Sequence, residues 1–289
     1  MPDSTLAVPR FTTLNLIGAG RVAQTLATLW HRQGTFAIQD VLTTSLASAQ
    51  SACAVIGSGQ AVVSLPSMRP ADVWMLAVTD AQIAGCAQSL AERFAHVSQA
   101  ASPAPIVFHC SGAQSSATLA PLTALGWRVA SAHCILSFAS VSAALQQFPG
   151  TPCALEGDAA ACEALRPAFT AIGARCFDVA STDKLLYHAA AVFATNFLPV
   201  LQSTAEDLWR SIGMPADLIP HLRESLLRNA VANITTLGPR AALTGPAARG
   251  DTTAIARQGA AVAAWDAQTG ATYAALSELA LRLAQKKQD

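Results

Sequence analysis

The feature that most constrains the fold is a glycine-rich stretch near the N-terminus. The apolar segment 14–17 (LNLI) leads into the pattern Gly-x-Gly-x-x-Ala at 18–23, and a helical pattern follows. Gly18 permits a tight turn, Gly20 lets the backbone approach a pyrophosphate, and Ala23 allows the helix to pack closely on the strand. The N–H groups at the start of such a helix favour phosphate. The stretch predicts a strand–turn–helix unit that binds a dinucleotide, with a purely structural unit as the alternative. The expected cofactor contacts here are Gly18, Ala19, Gly20, Arg21 and Val22.

The end of the second expected strand bears on the choice of dinucleotide. Residues 36–44 are typical of a strand, and its end is Thr43-Thr44-Ser45. At this position NAD-binding folds place a carboxylate for the ribose 2′-hydroxyl. Asp40 comes several residues too early for that role. Because hydroxyls tolerate a 2′-phosphate that a carboxylate would repel, the sequence favours NADP over NAD. Arg21 is either a positive charge for that phosphate or an exposed arginine at a helix start.

Strand and helix patterns alternate as far as residue 180. The near-continuous apolar run at 72–80 is typical of a parallel strand buried on both faces. Such alternation predicts a doubly wound, mostly parallel sheet with helices on both faces. Only helical patterns follow, at 183–212, 216–237 and 251–285. We therefore expect an α/β, Rossmann-like domain over 1–180 and an all-helical domain over 181–289, with a short tail at 1–10 and a loop at 97–105.

Polar residues at the ends of the expected strands are candidates for a site, because ligands bind at the carboxyl ends of such strands. Val78 and Thr79 follow the fourth strand and Ser111 follows the fifth, so we expect all three near the nicotinamide. Asp80 is either the N-cap of a helix at 81–94 or a ligand. Two histidines at strand ends, His109 and His133, either line a pocket or are structural.

The helical half carries four further polar candidates. Lys184 and His188 are one turn apart and share a helix face. His188 and Asn196 belong to an alanine-rich, apolar helix, so each either lines a site or bonds within the core. Arg249, in a loop rich in glycine and proline, either binds an anion bidentately or pairs with Asp251. Asp251 is also placed to cap the next helix.

Composition narrows the class of partner. The net charge is zero, and no basic run occurs before Lys286-Lys287, which argues against nucleic acid and acidic membrane surfaces. We expect no apolar run long enough to span a bilayer and no signal peptide. Seven scattered cysteines without a C-x-x-C pair argue against a disulfide framework and a metal site, and favour a reducing cytoplasm. Hydrophobic residues make up 52% and charged residues 12%, which favours a large protein interface.

Taken together, the motifs resemble those of a bacterial family of NADP-dependent oxidoreductases. That family is similar, more distantly, to pyrroline-5-carboxylate reductase and to the 6-phosphogluconate and 3-hydroxyacid dehydrogenases. The resemblance implies a Rossmann-like domain, a helical dimerisation domain of the 6-phosphogluconate dehydrogenase C-terminal type, and NADP in the cleft between them. The motifs that carry it are the glycine stretch, the strand end at 77–80, His109-Cys-Ser-Gly112, Tyr187-His-Ala-Ala190 with Asn196, and Thr244-Gly-Pro-x-x-Arg-Gly-Asp251.

The chain departs from the family pattern in two places. Where the family commonly has His-Pro-Leu followed by phenylalanine, this chain has the sequence HCILSF from His133 to Phe138, without the proline. The related dehydrogenases place an asparagine four residues after a catalytic lysine, whereas Lys184 and Asn196 are twelve apart. The role of that lysine therefore does not transfer to this chain.

The leading hypothesis is a cytoplasmic, homodimeric, NADP-dependent oxidoreductase that moves a hydride to or from a small C=N or C=O substrate. His188 is expected to donate the proton, Asn196 to orient the substrate, and Arg249 to bind an anionic group. One alternative is an NADP-binding sensor or assembly protein without turnover. Another is a fold that uses a different nucleotide or a deazaflavin as redox partner. No residue spacing identifies the substrate or the direction of transfer.

Overall fold

The computed structural model describes residues 13–95 and 104–285. The expected tail at 1–10, most of the expected loop at 97–105, and Lys286-Lys287 lie outside the described residues. By its internal contacts the chain divides into two compact units, Met1–Thr195 and Asn196–Asp289, and each is described by itself.

An eight-stranded sheet forms the centre of the first unit. The strand order is β3-β2-β1-β4-β5-β6-β7-β8, and every neighbouring pair is parallel except β6 and β7. This confirms the doubly wound, mostly parallel sheet predicted from the sequence. The strands are β1 (Thr13–Ile17), β2 (Ala37–Leu42), β3 (Gln60–Val62), β4 (Val73–Leu76), β5 (Ile106–His109), β6 (Arg128–Cys134), β7 (Pro152–Gly157) and β8 (Arg175–Asp178).

The described part of the first unit contains seven α-helices, and most agree with the expected pattern. One short helix, at 141–147, was not predicted, because it is too short to show apolar periodicity. It begins after Ser140, whose hydroxyl accepts a hydrogen bond from the N–H of Ala143. The helices are α1 (Arg21–Gln33), α2 (Leu46–Ile56), α3 (Asp80–Phe94), α4 (Ala120–Thr123), α5 (Val141–Gln147), α6 (Ala159–Ala171) and α7 (Lys184–Ala191), with 3-10 turns at Leu65–Ser67, Ser116–Leu119 and Ser181–Asp183.

Apolar side chains cover both faces of the sheet. Along β4, Met75 packs in the cluster on one face and Trp74 in the cluster on the other, as expected for a strand buried on both sides. The first cluster is centred on Trp30, whose indole N–H donates to the carbonyl oxygen of Ala168 at 2.9 Å. Burial of these side chains fixes the strands, and with them the loops at their carboxyl ends.

The second unit is helical, as predicted, but two of the expected helices are interrupted. The stretch expected as one helix at 183–212 contains a π-helical turn, Val192–Asn196, between α7 and α8. The stretch expected as one helix at 251–285 breaks at Asp266 (φ −152°), whose carboxylate caps α12 by accepting from the N–H of Thr269 at 2.7 Å. The helices are α8 (Phe197–Ser211), α9 (Leu218–Ala241), α10 (Gly245–Ala248), α11 (Thr252–Trp265) and α12 (Ala267–Gln285).

Few side chains of the second unit are buried within the chain. In the described range 196–285, only Glu206, Ile219 and Gly270 are buried. Glu206 accepts hydrogen bonds from two arginines, and Gly270 lies where a Cβ would meet Ala263 at 2.6 Å. Many large apolar side chains of this unit are exposed, including Val200, Ile212, Leu226, Val231, Ile234 and Leu237.

Among the described residues, one helical stretch, Ser181–Ser211, is long and apolar enough to cross a membrane by length and composition; an 18-residue window within it has a mean hydropathy of 1.3. The expectation that no apolar run reaches such a length is therefore wrong for this stretch. Core helices of soluble proteins meet the same criterion, so length and composition alone do not assign the stretch to a membrane.

Candidate functional site

The glycine turn after β1 is held between two other strands. The N–H of Gly18 donates to the carbonyl oxygen of Leu42 at 2.8 Å, and the N–H of Ala77 donates to that of Ile17 at 2.8 Å. Gly18 has a φ of +83°, and a Cβ on it would lie 2.5 Å from the Ala77 carbonyl oxygen. Both the backbone conformation and the space therefore require glycine at position 18.

Gly20 has the opposite surroundings. It is the N-cap of α1, its φ is −72°, and a Cβ built on it would meet nothing within 4 Å. The first turn of α1 contains no acidic side chain. The N–H groups at this helix end are therefore next to open space, and the helix dipole favours an anion there. The turn fits a pyrophosphate.

A cleft of about 440 Å³ opens in front of this turn, at the carboxyl ends of β1, β2 and β4. Seven of the expected cofactor residues line it: Gly18, Ala19, Gly20, Thr43, Thr44, Val78 and Thr79. Ser48 and Gln82 also line it and were not predicted, although each lies in the first turn of a helix that follows a lining strand. A smaller pocket of about 390 Å³ shares Ile17, Leu42, Gln82 and Cys86 with the cleft.

Hydroxyl groups form the rim of the cleft at the end of β2. Asp40 is 1% exposed and is bound by Arg69, with 2.5 Å between Oδ1 and Nη2, so its carboxylate is occupied within the fold. Ser45 lies outside the lining and caps α2 by accepting from the N–H of Ser48 at 3.2 Å. The lining residues, all within the described ranges, include Thr43 and Thr44 but no carboxylate.

Arg21 and Val22, both expected to contact the cofactor, lie outside the cleft lining. The Arg21 guanidinium donates to the carbonyl oxygens of Phe138 and Ala139 at 3.1 and 3.0 Å. Val22 packs against the apolar core. The guanidinium thus binds the segment after β6, which is where the chain lacks the family's proline.

Asp80 is not the N-cap of α3, because the helix begins at Asp80 and Thr79 is the N-cap. The Asp80 carboxylate instead accepts from the hydroxyl of Ser111 at 2.8 Å. That hydroxyl also accepts from the backbone N–H groups of Ala113 and Gln114 at 3.2 and 3.0 Å. Ser111 is buried and outside the cleft lining, so its side chain shapes the turn after β5.

His109 stabilises the same turn from inside. It is fully buried, with Nε2 3.1 Å from the carbonyl oxygen of Ser115 and Nδ1 3.2 Å from the N–H of Ser111. Burial lowers the pKa of its imidazole, so the ring is neutral and carries its proton on Nε2. Both nitrogens are occupied by backbone groups, which makes His109 a structural residue.

Two imidazole rings lie close to the backbone of Gly112. A Cβ there would lie 2.5 Å from Nδ1 of His188 and 2.8 Å from Cε1 of His133, so only glycine leaves room for both. The ring centroids of His133 and His188 are 5.7 Å apart. Nδ1 of His133 lies 2.7 Å from the hydroxyl oxygen of Tyr187. We call His133, Tyr187 and His188 the His–Tyr cluster.

Burial dominates the electrostatics of this cluster. Desolvation, with smaller contributions from His188 and Lys184, lowers the pKa of His133 to about 4. Desolvation also raises the pKa of the Tyr187 phenol. At neutral pH His133 is therefore an uncharged imidazole, and Tyr187 retains its proton.

His188 uses its two ring nitrogens differently. Nδ1 is buried, has no hydrogen-bond partner among the described residues, and faces Gly112. A buried N–H without an acceptor is costly, whereas a lone pair can rest against a Cα–H group. A ring proton on Nε2 avoids that cost, and Nε2 is then the nitrogen that can donate a hydrogen bond.

Lys184 joins α7 to the turn after β5 and to β6. It is 1% exposed, and its ammonium donates to the carbonyl oxygen of Ser111 at 3.0 Å and to the hydroxyl of Ser131 at 2.5 Å. Burial lowers the pKa of this lysine. Lys184 and His188 both contact the 111–112 segment, which confirms the shared helix face predicted from their spacing.

The remaining catalytic candidates lie in the second unit. Asn196 ends the π-helical turn, and Arg249 is exposed at the end of α10. Asp251 caps α11, as predicted, by accepting from the N–H of Ala254 at 2.9 Å. Among the salt bridges of the described residues, none joins Arg249 to Asp251.

The order of the strands relates the cleft to the His–Tyr cluster. The cleft is at β1 and β4, Gly112 follows β5, and His133 lies on β6. Neighbouring strands are about 4.8 Å apart, so β6 is roughly 10 Å beyond β4. The cluster is thus within reach of a dinucleotide laid across the strand ends from β2.

Comparison with known proteins supports this reading of the fold. Residues 2–134 match the model of a Rossmann-like domain, and residues 151–280 match that of a domain of unknown function, DUF2520. No curated protein matches the chain.

Solved structures resemble the chain over nearly its whole length. Protein TM1727 from Thermotoga maritima matches with a TM-score of 0.72 and 23% identity, covering 94% of this chain and 98% of that one. BF3122 from Bacteroides fragilis, provisionally named an NADP oxidoreductase, matches with a TM-score of 0.69 and 22% identity, over 94% and 99%. Pyrroline carboxylate reductase from Plasmodium falciparum, solved with NADP bound, matches with a TM-score of 0.57 and 10% identity, over 96% and 99%. At these identities the likeness shows a shared fold, and it agrees with the family resemblance seen in the motifs. The chain thus joins a stretch similar to a Rossmann-like domain to a C-terminal stretch similar to DUF2520.

Proposed function

We propose that the protein is an NADP-dependent oxidoreductase that transfers a hydride to or from a small C=N or C=O substrate. The cleft at the glycine turn carries this proposal. It combines a position that requires glycine, a second glycine facing open space, and free helix N–H groups at the carboxyl edge of a parallel sheet. The resemblance to fold relatives named for NADP supports a nicotinamide cofactor.

The cofactor phosphates would lie on Gly18, Ala19 and Gly20. Thr43 and Thr44 would lie beside the 2′-phosphate, because neutral hydroxyls do not repel an anion as a carboxylate would. This arrangement favours NADP over NAD. The nicotinamide end would then extend past Val78 and Thr79, with the Ser111 turn behind it, toward the His–Tyr cluster.

The reaction requires little more from the protein than position, a hydrogen-bond donor and a proton. The bound cofactor would supply the hydride. The Nε2–H group of His188 is proposed to donate a hydrogen bond to the substrate heteroatom. Asn196 and Arg249 are proposed to orient the substrate and to hold an anionic group, as their motifs suggest.

We further propose that two copies of the chain associate through the helical unit. Its described residues include only three that are buried, while large apolar side chains of α8 and α9 are exposed. Exposed apolar area of this extent is typical of an obligate interface, which resembles a domain core divided between two chains. A second copy presents the same surface and would cover it.

A cofactor-binding protein without turnover is the second candidate. It is favoured by the number of polar groups that are used to hold the fold: His109, Ser111 and Lys184 are all bonded within the protein. Fewer groups are then left for acid–base chemistry.

Turnover separates the two candidates. We would follow NADPH absorbance with 2-methyl-1-pyrroline, pyruvate and propanal as probes, and measure NADPH affinity in parallel. His188→Ala should depress turnover while the Kd for NADPH stays within about twofold, and His221→Ala, an exposed histidine of α9, serves as the control. Tight NADPH binding with no oxidation by any probe would favour the second candidate. Wild-type rates in His188→Ala would remove His188 from the mechanism.

A further inference from the structure

Tyr187 directly precedes His188 in sequence and its ring contacts that of His133, yet neither its motif nor its spacing assigned it a role. We propose that Tyr187 delivers the proton to the substrate heteroatom, and that His133 positions its hydroxyl and stabilises the phenolate. This inference rests on the proposed hydride transfer and names the proton source of the same site.

The surroundings of the His188 ring limit it as a proton source. A neutral imidazole releases its Nε2 proton only if Nδ1 gains one at the same time. Nδ1 of His188 is buried against Gly112 and has no partner among the described residues that could supply a proton. His188 is therefore suited to donate a hydrogen bond to the substrate, and the proton transferred in each cycle must come from another group.

The Tyr187 ring is held in place by two aromatic neighbours. It makes edge-to-face contacts with His133 at 5.5 Å and with Phe177 at 6.1 Å between centroids. Such contacts fix the orientation of an aromatic ring. The side chain is half-buried, so its hydroxyl is held at the edge of the site without being sealed in the core. Fixed orientation is what a proton donor needs.

The hydroxyl of Tyr187 has an imidazole nitrogen as its partner. Nδ1 of His133 is 2.7 Å from the phenol oxygen. The groups that act on His133 are the ring of His188 and the charges of Lys184 and Asp80, and its low pKa keeps it neutral. A neutral ring with its proton on Nδ1 donates to the phenol oxygen and leaves the phenol proton free to point at a substrate.

The step balances in the reducing direction. The bound nicotinamide would supply a hydride to the substrate carbon, and the π electrons of the C=N or C=O bond would move to the heteroatom. The Tyr187 O–H bond breaks, a new N–H or O–H bond forms on the heteroatom, and the negative charge remains on the phenolate oxygen. His133 Nδ1–H stabilises that charge by hydrogen bonding. A water proton restores the phenol after the product leaves.

The chain provides a matched control, because it contains only two tyrosines. Tyr187→Phe keeps the ring and removes the hydroxyl. Tyr273→Phe does the same on α12, where the hydroxyl donates to Gln258 at 2.7 Å. With NADPH and the probe that the wild type reduces fastest, kcat of Tyr187→Phe should fall at least 100-fold, as expected when a general acid is removed, while Tyr273→Phe stays within about twofold. The Kd for NADPH should be unchanged in both.

His133 is tested through rescue. The side-chain amide of asparagine places an N–H close to the position of Nδ1, so His133→Asn should retain kcat within about 10-fold of the wild type. His133→Leu should lose as much kcat as Tyr187→Phe. The KM for NADPH should not change in either, whereas a purely structural role would alter kcat, KM and thermal stability together.

Each outcome decides the matter. If the wild type reduces a probe and Tyr187→Phe reduces it equally fast, this inference is overturned and the proposed function stands. A wild type that binds NADPH but reduces no probe would remove the proposed function, and this inference with it. Loss of NADPH binding in Tyr187→Phe in step with its activity would show a structural role and also overturn the inference.

Discussion

At position 18 the backbone admits only glycine, whereas at position 20 it admits a methyl group in the free protein. A Cβ on Gly18 would clash with the Ala77 carbonyl at 2.5 Å, and one on Gly20 would face open space. If a pyrophosphate occupies that space, Gly20→Ala should leave the melting temperature unchanged or slightly raised, since it removes unfolded-state freedom. It should also raise the Kd for NADPH at least about 10-fold, which is about 1.4 kcal/mol.

Gly18→Ala is the comparison. It should lower the unfolding free energy by roughly 1–3 kcal/mol, because alanine is strained at a φ of +83° even before the contact with Ala77. Calorimetry and NADPH titration of both variants separate the structural role of Gly18 from the proposed cofactor-binding role of Gly20. Unaltered NADPH affinity in Gly20→Ala would contradict a cofactor at the turn.

His133 predicts a pH dependence of stability. Its pKa is about 4 in the fold and about 6.5 in an unfolded chain, so between these values only the unfolded chain binds the proton. Stability should therefore fall as the pH drops from about 6.5 toward about 4, by roughly 3 kcal/mol at full effect. Chemical denaturation across this range should show a shallower loss for His133→Asn, with His221→Asn as the exposed control. Equal slopes in the wild type and His133→Asn would refute the assignment.

At the scale of residues, the sequence predicts a role correctly where neighbouring residues alone determine it. Gly18 and Gly20 were assigned from their place in a strand–turn–helix pattern, and both line the cleft. Arg21 and Ser111 were expected at the cofactor but lie outside the lining, because distant carbonyls and Asp80 bind them. Those partners are 31 to 118 residues away in sequence, so no local pattern reports them.

At the scale of elements, the end of β2 sets the proposed preference for NADP. Thr44→Asp would introduce a carboxylate at the rim of the cleft, where a 2′-phosphate would be repelled. The Kd for NADPH should rise at least about 10-fold, while that for NADH stays constant or falls. Thr44→Asn, similar in size and uncharged, controls for the loss of the hydroxyl. Fluorescence titrations with both cofactors give the ratio of the Kd for NADPH to the Kd for NADH. If this ratio is the same in Thr44→Asp as in the wild type, the adenosine lies elsewhere.

Most elements followed from periodicity and turn residues, and the exceptions have physical reasons. The break at Asp266 was missed because no glycine or proline marks it. An Asp with Thr269 three residues later is a capping pattern that could have revealed it. The π-helical turn at Val192–Asn196 was missed because its residues continue the apolar pattern of a regular helix.

At the scale of the whole molecule, the helical unit predicts association. A chain whose exposed α9 residues include Ile234 and Leu237, 49% and 56% exposed, should not remain monomeric at micromolar concentration. The double variant Ile234→Asp/Leu237→Asp should shift sedimentation toward the monomer and lower thermal stability, because it charges the proposed interface. Ser225→Asp, which is also exposed and lies on the opposite side of the same helix from Ile234, should leave the wild-type sedimentation unchanged. A monomeric wild type would contradict the proposed dimer.

The overall class of the molecule was accessible from the sequence because it depends on repeated patterns. Alternating strands and helices, then helices alone, are spread over the whole chain, and the order of the sheet confirms the doubly wound prediction. The His–Tyr cluster was not accessible as a unit. His133 and Tyr187 are 54 residues apart and meet only because β6 and α7 both lie beside Gly112.

The most direct test of the central claim, a nicotinamide dinucleotide at the glycine turn, is the thermal unfolding of the protein titrated separately with NADPH and NADH. A ligand at 100 times its Kd adds about 2.7 kcal/mol to the unfolding free energy, which raises the midpoint by about 5 °C or more. We predict this shift with NADPH at a much lower concentration than with NADH, and its loss in Gly20→Ala. The absence of a shift with either cofactor would contradict the claim.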